Sequence, residues 1–254
     1  MCLAVIAINA RPGLPLLLAA NRDEFHQRPA AAAGPWPGHP DVIAGRDLAG
    51  GGTWLGITRQ GRYALLTNYR DPAYVLPDAP SRGELVLQYL TGQASPADYL
   101  AQVLAHGERY NGFNLIVGNA DGAWYGGNRA AEPRPQRLAD GVHGLSNHLL
   151  DTPWPKLTRT RDAVADLLAS DPAPAPAALF AVLGDRRGAP DEALPDTGVG
   201  IERERMLASP FIVSPTYGTR CSTVIMGTPG AGLRLLELRF DAAGDAIGDS
   251  AYTT

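Results

Sequence analysis

The sequence predicts an α+β fold in which antiparallel sheets pack face to face, with helices on the outside. Short apolar runs joined by hairpin turns dominate both ends of the chain, helical patterns are confined to the stretches between them, and no strand–helix–strand rhythm repeats. The opening runs, residues 3–8 and 14–20, are apolar on both faces. Each should therefore lie inside a sheet that is covered on both sides.

The predicted strands follow from apolar runs bounded by turn residues. Arg11-Pro12-Gly13 joins the first two runs, because Pro and Gly favour tight turns. Similar turns are predicted at Asn119-Ala120-Asp121-Gly122 and at Thr228-Pro229-Gly230. The later predicted strands cover residues 42–44, 53–58, 63–67, 114–118, 123–126, 211–213, 221–226 and 233–240.

Four helices are predicted between the strands. Ser81-Arg82-Gly83-Glu84 matches the capping box ahead of a helix to about residue 90, and Ser95-Pro96 starts a second helix to about residue 105. The other two helices are predicted over residues 155–168 and 174–183. Pro- and Gly-rich composition predicts loops over residues 28–40 and 184–200.

Composition restricts the classes of function. The chain has 254 residues, enough for one large domain or two small ones, and in the absence of a clear linker we interpret it as a single domain spanning residues 1–254. Its net charge of −4 argues against nucleic acid as the main partner. The partner we expect is a small-molecule ligand or substrate. The two cysteines have no CxxC spacing and the histidines no ligand spacing, so we expect no metal site and a reducing, cytoplasmic location. We expect neither a signal peptide nor a transmembrane segment.

Cys2 is the first candidate for catalytic chemistry. Initiator methionine is usually removed when the next side chain is small, which would leave Cys2 with both a thiol and a free α-amine. An α-amine has an unperturbed pKa of about 7.7–8.0, so it can act as a general base near neutral pH. The alternative is that Cys2 has no special role.

Polar residues end the second predicted strand at Asn21-Arg22-Asp23-Glu24. If the first two strands form a hairpin, Arg22 and Asp23 lie near Cys2. Arg22 would then lower the thiol pKa, and Asp23 could orient the α-amine. Exposed charges in a turn are the alternative. Arg220 enters a buried strand and needs a partner, for which a carboxylate such as Asp23 or a bound anion is a candidate.

Two asparagines occupy similar positions. Asn68 ends an apolar strand and Asn147 follows Gly144-Leu145-Ser146. Each is either a turn residue or a side chain that donates to an oxyanion. The glycine-rich segments Gly45-Arg46-Asp47 and 51–56, the second of which includes a tryptophan, are either the rim of a pocket or turn and core residues.

Taken together, these motifs resemble the NRDE family, which includes the transport and Golgi organisation 2 homologues. The resemblance runs in order over nearly the whole chain. The motifs that carry it are Met1-Cys2, Asn21-Arg22-Asp23-Glu24, Gly45-Arg46-Asp47, Gly51-Gly52-Thr53-Trp54-Leu55-Gly56, Thr67-Asn68, Ser81-Arg82-Gly83, Gly144-Leu145-Ser146-Asn147 and Thr219-Arg220.

That family is in turn similar to the N-terminal nucleophile hydrolases of the choloylglycine hydrolase and penicillin V acylase type. The resemblance implies a four-layer αββα sandwich and a catalytic set with a cysteine nucleophile. The matching residues here are Cys2, Arg22, Asp23, Asn68, Asn147 and Arg220. Cys221 departs from the pattern, since a serine is expected there, and it places a second thiol near the first.

Two functions of different classes remain. The first is an amidohydrolase that uses Cys2 to cleave a small amide. The second is a non-catalytic binding or trafficking protein, whose apolar ligand would be haem or an acyl thioester such as an acyl-CoA. No cofactor is expected for the enzyme. For the carrier, haem would be a cargo, with Cys2 or His26 near its iron.

Overall fold

The computed structural model describes residues 2–170 and 174–254, with only the backbone described for Cys2. The strands are β1 (Cys2–Arg11), β2 (Leu14–Phe25), β3 (Ala30–Trp36), β4 (His39–Asp47), β5 (Leu55–Thr58), β6 (Tyr63–Asn68), β7 (Phe113–Asn119), β8 (Gly122–Gly127), β9 (Gln136–Arg137), β10 (Gly141–Leu145), β11 (Tyr217–Thr228), β12 (Gly232–Phe240) and β13 (Ala246–Thr253). The helices are α1 (Gly83–Thr91), α2 (Pro96–Ala105), α3 (Pro155–Ser170), α4 (Pro176–Leu183) and α5 (Ile201–Met206), with 3₁₀ turns at Gly107–Arg109 and Asp191–Ala193.

The strands form two antiparallel sheets. Within the described residues, the first sheet has the order β10-β1-β2-β11-β12-β13 and the second the order β3-β4-β5-β6-β7-β8-β9. The opening hairpin lies in the middle of the first sheet, as its two-sided apolar pattern predicted. Gly13, at φ 80°, supplies the left-handed conformation of the hairpin turn.

Apolar side chains separate four layers. Those that point between the sheets form one buried cluster, which includes Ile6, Leu18, Ile57, Leu65, Ile116 and Ile225. Helices α1 and α2 cover the outer face of the second sheet, and α3 and α4 cover that of the first. The predicted αββα sandwich is confirmed. Across residues 2–170 and 174–254, no helix has the length and apolar character needed to cross a bilayer.

Three local predictions were wrong. Residues 28–40 were predicted as a loop but contain β3, which is an edge strand, where the ladder tolerates Pro35. The capping box does not form, because the N-cap of α1 is Arg82 and not Ser81, and Glu84 accepts a hydrogen bond from the Tyr110 hydroxyl at 2.6 Å. The predicted strand at residues 211–213 is reduced to one isolated bridge between Val213 and Gly218.

Three short or polar elements, β10, β13 and α5, were not predicted from the sequence. Strand β10 has five residues, and β13 is an exposed edge strand with few apolar side chains. Helix α5 has six residues, four of which are charged. None of these segments carries the apolar periodicity on which the sequence-based assignment depends.

Leu18 provides a test of the layer between the sheets. Its side chain is 0% exposed, whereas Leu48 on the surface is 53% exposed. We expect Leu18→Ala to lower the free energy of unfolding by about 2–5 kcal/mol, because it removes buried contacts and leaves a cavity. The matched variant Leu48→Ala should change it by less than about 0.5 kcal/mol. Urea denaturation measures both, and equal effects would contradict the assigned layer.

Candidate functional site

The strand register places Arg22 between the chain's two cysteines. The Cα atom of Arg22 is paired with that of Cys2 on β1 and with that of Cys221 on β11. Cys2 and Cys221 are therefore two strands apart, which is about 10 Å at the usual strand spacing. A disulfide needs Cα atoms within about 7 Å, so this register does not allow a bond between the two thiols.

The Arg22 guanidinium is buried and held from two sides. Its side chain is 5% exposed, Nη2 donates to Asp47 Oδ2 at 3.1 Å, and its central carbon lies 4.3 Å from the centre of the Trp54 ring. Its other terminal nitrogen, Nη1, is buried and donates to no acceptor among the described residues. A buried donor without an acceptor is costly, which makes Nη1 a candidate to bind a ligand or reacting atom.

Asp47 fixes Arg22 in place. Its carboxylate also accepts from Arg28 Nε at 2.7 Å and from the Gly50 amide at 2.9 Å. Burial opposes ionisation, but the hydrogen bonds from Arg28 and Gly50 outweigh it and lower the pKa of Asp47. A charged carboxylate therefore faces Arg22 at neutral pH.

Asp23 is buried on the other face of β2, the face that carries α3 and α4. Its side chain is 1% exposed, and Oδ1 accepts from the Thr219 hydroxyl at 2.7 Å. The Tyr217 hydroxyl donates to the Asp23 carbonyl at 2.9 Å. Burial raises the pKa of Asp23, while the positive charge of Lys156 and the Thr219 hydrogen bond act against this rise.

Asn68 and Asn147 are joined across the two sheets. Asn147 is fully buried, and its Nδ2 donates to the Asn68 carbonyl at 3.0 Å. Thr67 Oγ1 donates to the Ser146 carbonyl at 2.7 Å. The pairing of β10 with β1 ends at Leu145 opposite Ala4, two residues before Asn147 and two after Cys2. The segment that carries Asn147 therefore continues toward the start of β1.

Arg220 has a different partner from the one expected. It lies in a β-bulge of β11, between the pairs Thr219–Asp23 and Cys221–Arg22. Its Nη1 donates to the carbonyls of Phe25 and His26 at 3.0 and 2.8 Å. Nη1 thus binds main-chain carbonyls and not the Asp23 carboxylate, because the extra residue in the bulge changes where the side chain points.

A polar cleft of about 460 Å³ opens at this end of the sandwich. Its walls contain residues from most of the motifs that the sequence had singled out: Arg22, Asp23, Glu24, Asp47, Gly51, Thr53, Trp54, Asn68, Ser81, Arg82 and Gly83. Asn147 contacts this lining through Asn68, whereas Arg220 holds the turn that follows β2. Segments far apart in sequence therefore converge on one cleft beside the paired Cα atoms of Cys2 and Arg22.

Sequence reasoning missed the buried polar residues Asn114 and Glu237, which lie outside the lining of the cleft. Asn114 donates to Thr67 Oγ1 at 3.2 Å and accepts from the Tyr125 hydroxyl at 2.8 Å. Glu237 is 2% exposed in the layer between the sheets, where it accepts from the Ala33 amide at 2.9 Å. Burial raises the pKa of Glu237. Its sequence signal was a carboxylate on the apolar face of β12, two residues after Leu235.

Sequence comparison identifies relatives over nearly the whole chain. The model of the family described as Transport and Golgi organisation 2 matches residues 1–242. A Transport and Golgi organization protein 2 homolog from Bos taurus is 41% identical over 257 residues, covering 89% of this chain and 88% of that protein. The Homo sapiens homolog is 37% identical over 245 residues with the same coverage.

Solved structures share the fold at low sequence identity. Penicillin V acylase from Agrobacterium tumefaciens superposes with a TM-score of 0.51 at 12% identity, covering 94% of this chain and 83% of that one. A mutant conjugated bile acid hydrolase from Clostridium perfringens gives a TM-score of 0.54 at 8% identity, covering 100% and 92%. The Caenorhabditis elegans orthologue of N-acylethanolamine-hydrolyzing acid amidase gives 0.50 at 13% identity, covering 90% and 93%. At these identities the likeness establishes the fold alone.

Gly45 tests the support of Arg22 by Trp54. A Cβ atom at Gly45 would lie 2.4 Å from the Trp54 ring, whereas one at Gly188 would meet nothing within 4 Å. We expect Gly45→Ala to displace the ring and lower the free energy of unfolding by about 1–3 kcal/mol. Gly188→Ala is the matched control and should have an effect of less than about 0.5 kcal/mol. Urea denaturation measures both changes, and a neutral Gly45→Ala would show that the ring is not tightly packed there.

The loop that carries Asn147 should respond to pH. It is closed by Asp151, whose carboxylate accepts from the Gly144 amide at 2.7 Å and contacts His143 Nδ1 at 2.9 Å. The Asp151 hydrogen bond raises the pKa of His143 above 6.5, and the His143 hydrogen bond helps to lower that of Asp151 below 3.8 despite its burial. The charged pair therefore stabilises the fold fully between these two values.

We expect the stability difference between the wild type and His143→Gln to be largest between about pH 4 and 6.5. It should shrink as the pH rises through the raised pKa of His143, and again as the pH falls through the lowered pKa of Asp151. Urea denaturation across this pH range measures the difference. A difference that does not vary with pH would mean that His143 contributes no charge to the loop.

Proposed function

This chain belongs to the Transport and Golgi organisation 2 family, and we propose that it is an amidohydrolase in which Cys2 is an N-terminal nucleophile. The observation that carries the proposal is the buried Arg22 guanidinium, whose Cα atom is paired with that of Cys2 and whose Nη1 has no acceptor among the described residues. A fixed positive charge next to a thiol favours the thiolate, which is the nucleophilic form. The shared fold with amidases supports the same reaction class.

Removal of the residue before Cys2 would supply the general base. Asp23 lies one residue beyond Arg22, on the side of the Cys2 main-chain nitrogen. A free α-amine there would take the thiol proton and later pass it to the leaving amine. The thiolate would attack the amide carbonyl, and water would then cleave the resulting thioester.

Asn68 and Asn147 are the proposed oxyanion donors. Asn68 lines the cleft, and Asn147 uses one amide hydrogen for the Asn68 carbonyl, which leaves a second available. Arg220 takes a positioning role in this proposal. Its hydrogen bonds to Phe25 and His26 would fix the chain just after Arg22 and Asp23.

The cleft favours a compact amide with polar groups. Its volume of about 460 Å³ is at the small end of the usual range for ligand pockets, and charged side chains of both signs line it. Penicillin V, conjugated bile acids and N-acylethanolamines, named for the proteins of similar fold, provide a first panel of acyl amides.

Intact mass spectrometry after incubation with this panel tests the proposal. We expect the wild type to begin at Cys2 and to gain one acyl group from a turned-over amide. Cys2→Ala should gain none, because it lacks the nucleophile, whereas the matched control Cys221→Ala should still be acylated. Retention of the residue before Cys2, or acylation that survives in Cys2→Ala, would contradict an N-terminal nucleophile.

A binding function is the second candidate. The observation that favours it is a larger cavity of about 790 Å³ at the opposite end of the sandwich, lined in part by Ile8, Leu16, Tyr63, Leu138 and Leu233. Tyr63 is the one side chain in this lining of a type that binds haem iron, and the aliphatic side chains suit an acyl chain, so an acyl-CoA is the probe to test first.

Binding of a fluorescent acyl-CoA analogue tests this second function. A carrier should bind the probe equally well as wild type and as Cys2→Ala, while Leu16→Arg should weaken binding by placing a charge in the cavity. Binding that is lost in Cys2→Ala but retained in Leu16→Arg would assign the probe to the cleft instead.

A further inference from the structure

Lys156 occupies an unexpected position. It is the only lysine in the chain, it is 3% exposed, and it lies in the first turn of α3. Burial of an ammonium is costly, and the N-terminal end of a helix disfavours positive charge. These two costs make Lys156 a candidate for function.

The start of α3 packs beside the candidate site. Trp154 and Leu157 form a buried cluster with Leu3, the residue that follows Cys2. Leu3 is paired with Asn21 on β2, and Asp23, two residues further along the strand, lies on the same face of the sheet as Asn21. Lys156 therefore approaches the sheet on the face where Asp23 is buried.

The charge of Lys156 acts on the Asp23 carboxylate. Glu204, the other buried acid nearby, accepts from Arg70 Nη1 at 2.6 Å and from the Thr197 amide at 2.9 Å. The charge that acts most strongly to lower the Asp23 pKa is that of Lys156. The ionisable groups around this cluster are Arg22 and Asp23 on β2, Arg70 after β6, Lys156 on α3, Glu204 on α5 and Tyr217 on β11.

We propose that Lys156 is a positioning residue of the active site: buried on the face of the sheet that carries Asp23, its ammonium supplies the positive charge that lets Asp23 orient the α-amine of Cys2. The inference rests on the proposed function, because it needs Cys2 to have a free amine. It assigns the residue a role through Asp23, since no contact between Lys156 and substrate is required.

The chemistry explains why a positive charge is needed at this place. A fully buried carboxylate tends to take up a proton, and a neutral Asp23 could no longer orient an amine by accepting charge-assisted hydrogen bonds. An Asp23 anion with no positive charge beside it would keep the α-amine of Cys2 protonated, and an ammonium cannot act as a base. Lys156 offsets both effects by its charge.

Acylation of Cys2 by p-nitrophenyl acetate, followed over pH in a Cys221→Ser background, tests the inference. We expect Lys156→Met to slow acylation at pH 7 by about tenfold or more and to move the acid limb of the profile up by about one to three pH units. Lys156→Arg keeps the charge and should retain most of the rate. In an Asp23→Asn background, Lys156→Met should have no further effect on the rate or the profile.

The double variant also addresses the case in which Lys156→Met alone fails to fold. Asp23→Asn with Lys156→Met leaves neither charge buried alone, so it should be more stable to urea than Lys156→Met. Independent effects of the two substitutions, or a Lys156→Met profile equal to that of the wild type, would overturn the inference while leaving the proposed function intact. A wild-type Cys2 that reacts as an ordinary thiol would overturn both.

Discussion

The candidate site depends on one buried positive charge. Arg22 is carried on a central strand with its guanidinium between Asp47 and the Trp54 ring, and one of its terminal nitrogens has no acceptor among the described residues. Removing such a charge from water is costly unless partners are fixed around it. Asp47 is therefore held in turn by Arg28 and Gly50, and Gly45 leaves room for the ring. These neighbours give a physical reason for the clustering of the motifs.

The sandwich brings the site together by its register. In an antiparallel pair, the end of one strand lies beside the start of the next, so Cys2 and Arg22 are neighbours across β1 and β2. The antiparallel pairing of β2 with β11 places Cys221 on the other side of Arg22. In the second sheet, β6 ends at Asn68, which lines the cleft. The second sheet contributes Asp47, at the end of β4, and Trp54, directly before β5. Each sheet therefore supplies part of the cleft.

Much of the fold was predictable because its signals are local. Two-sided apolar runs identified β1 and β2 as central strands, and the hairpin turn fixed the proximity of Cys2 to Arg22. The Asn21-Arg22-Asp23-Glu24 motif and Asn68 could likewise be placed at strand ends. Their roles in chemistry could not be read from position alone, and remain proposals.

The remaining features depend on contacts that the sequence does not encode locally. The bulge at Arg220 turns its guanidinium toward the carbonyls of Phe25 and His26 at the end of β2. The local sequence pattern gives no signal for the extra residue in the bulge. Glu237 and Lys156 are buried by elements distant in sequence, so their environment becomes visible only once the layers are assembled. The edge strand β3 was missed because its Pro- and Gly-containing segment is tolerated only at an edge.

The most direct measurement of the central claim is the pKa of the Cys2 thiol, taken from its alkylation rate by iodoacetamide over pH in a Cys221→Ser background. If Arg22 activates Cys2, this pKa lies well below the ordinary value of about 8.5 in the parent protein and rises by about one unit or more in Arg22→Met. Arg28→Met, which also removes a partner of Asp47 but is not paired with Cys2, should change it little. An ordinary thiol pKa in the parent that Arg22→Met leaves unchanged would contradict the account.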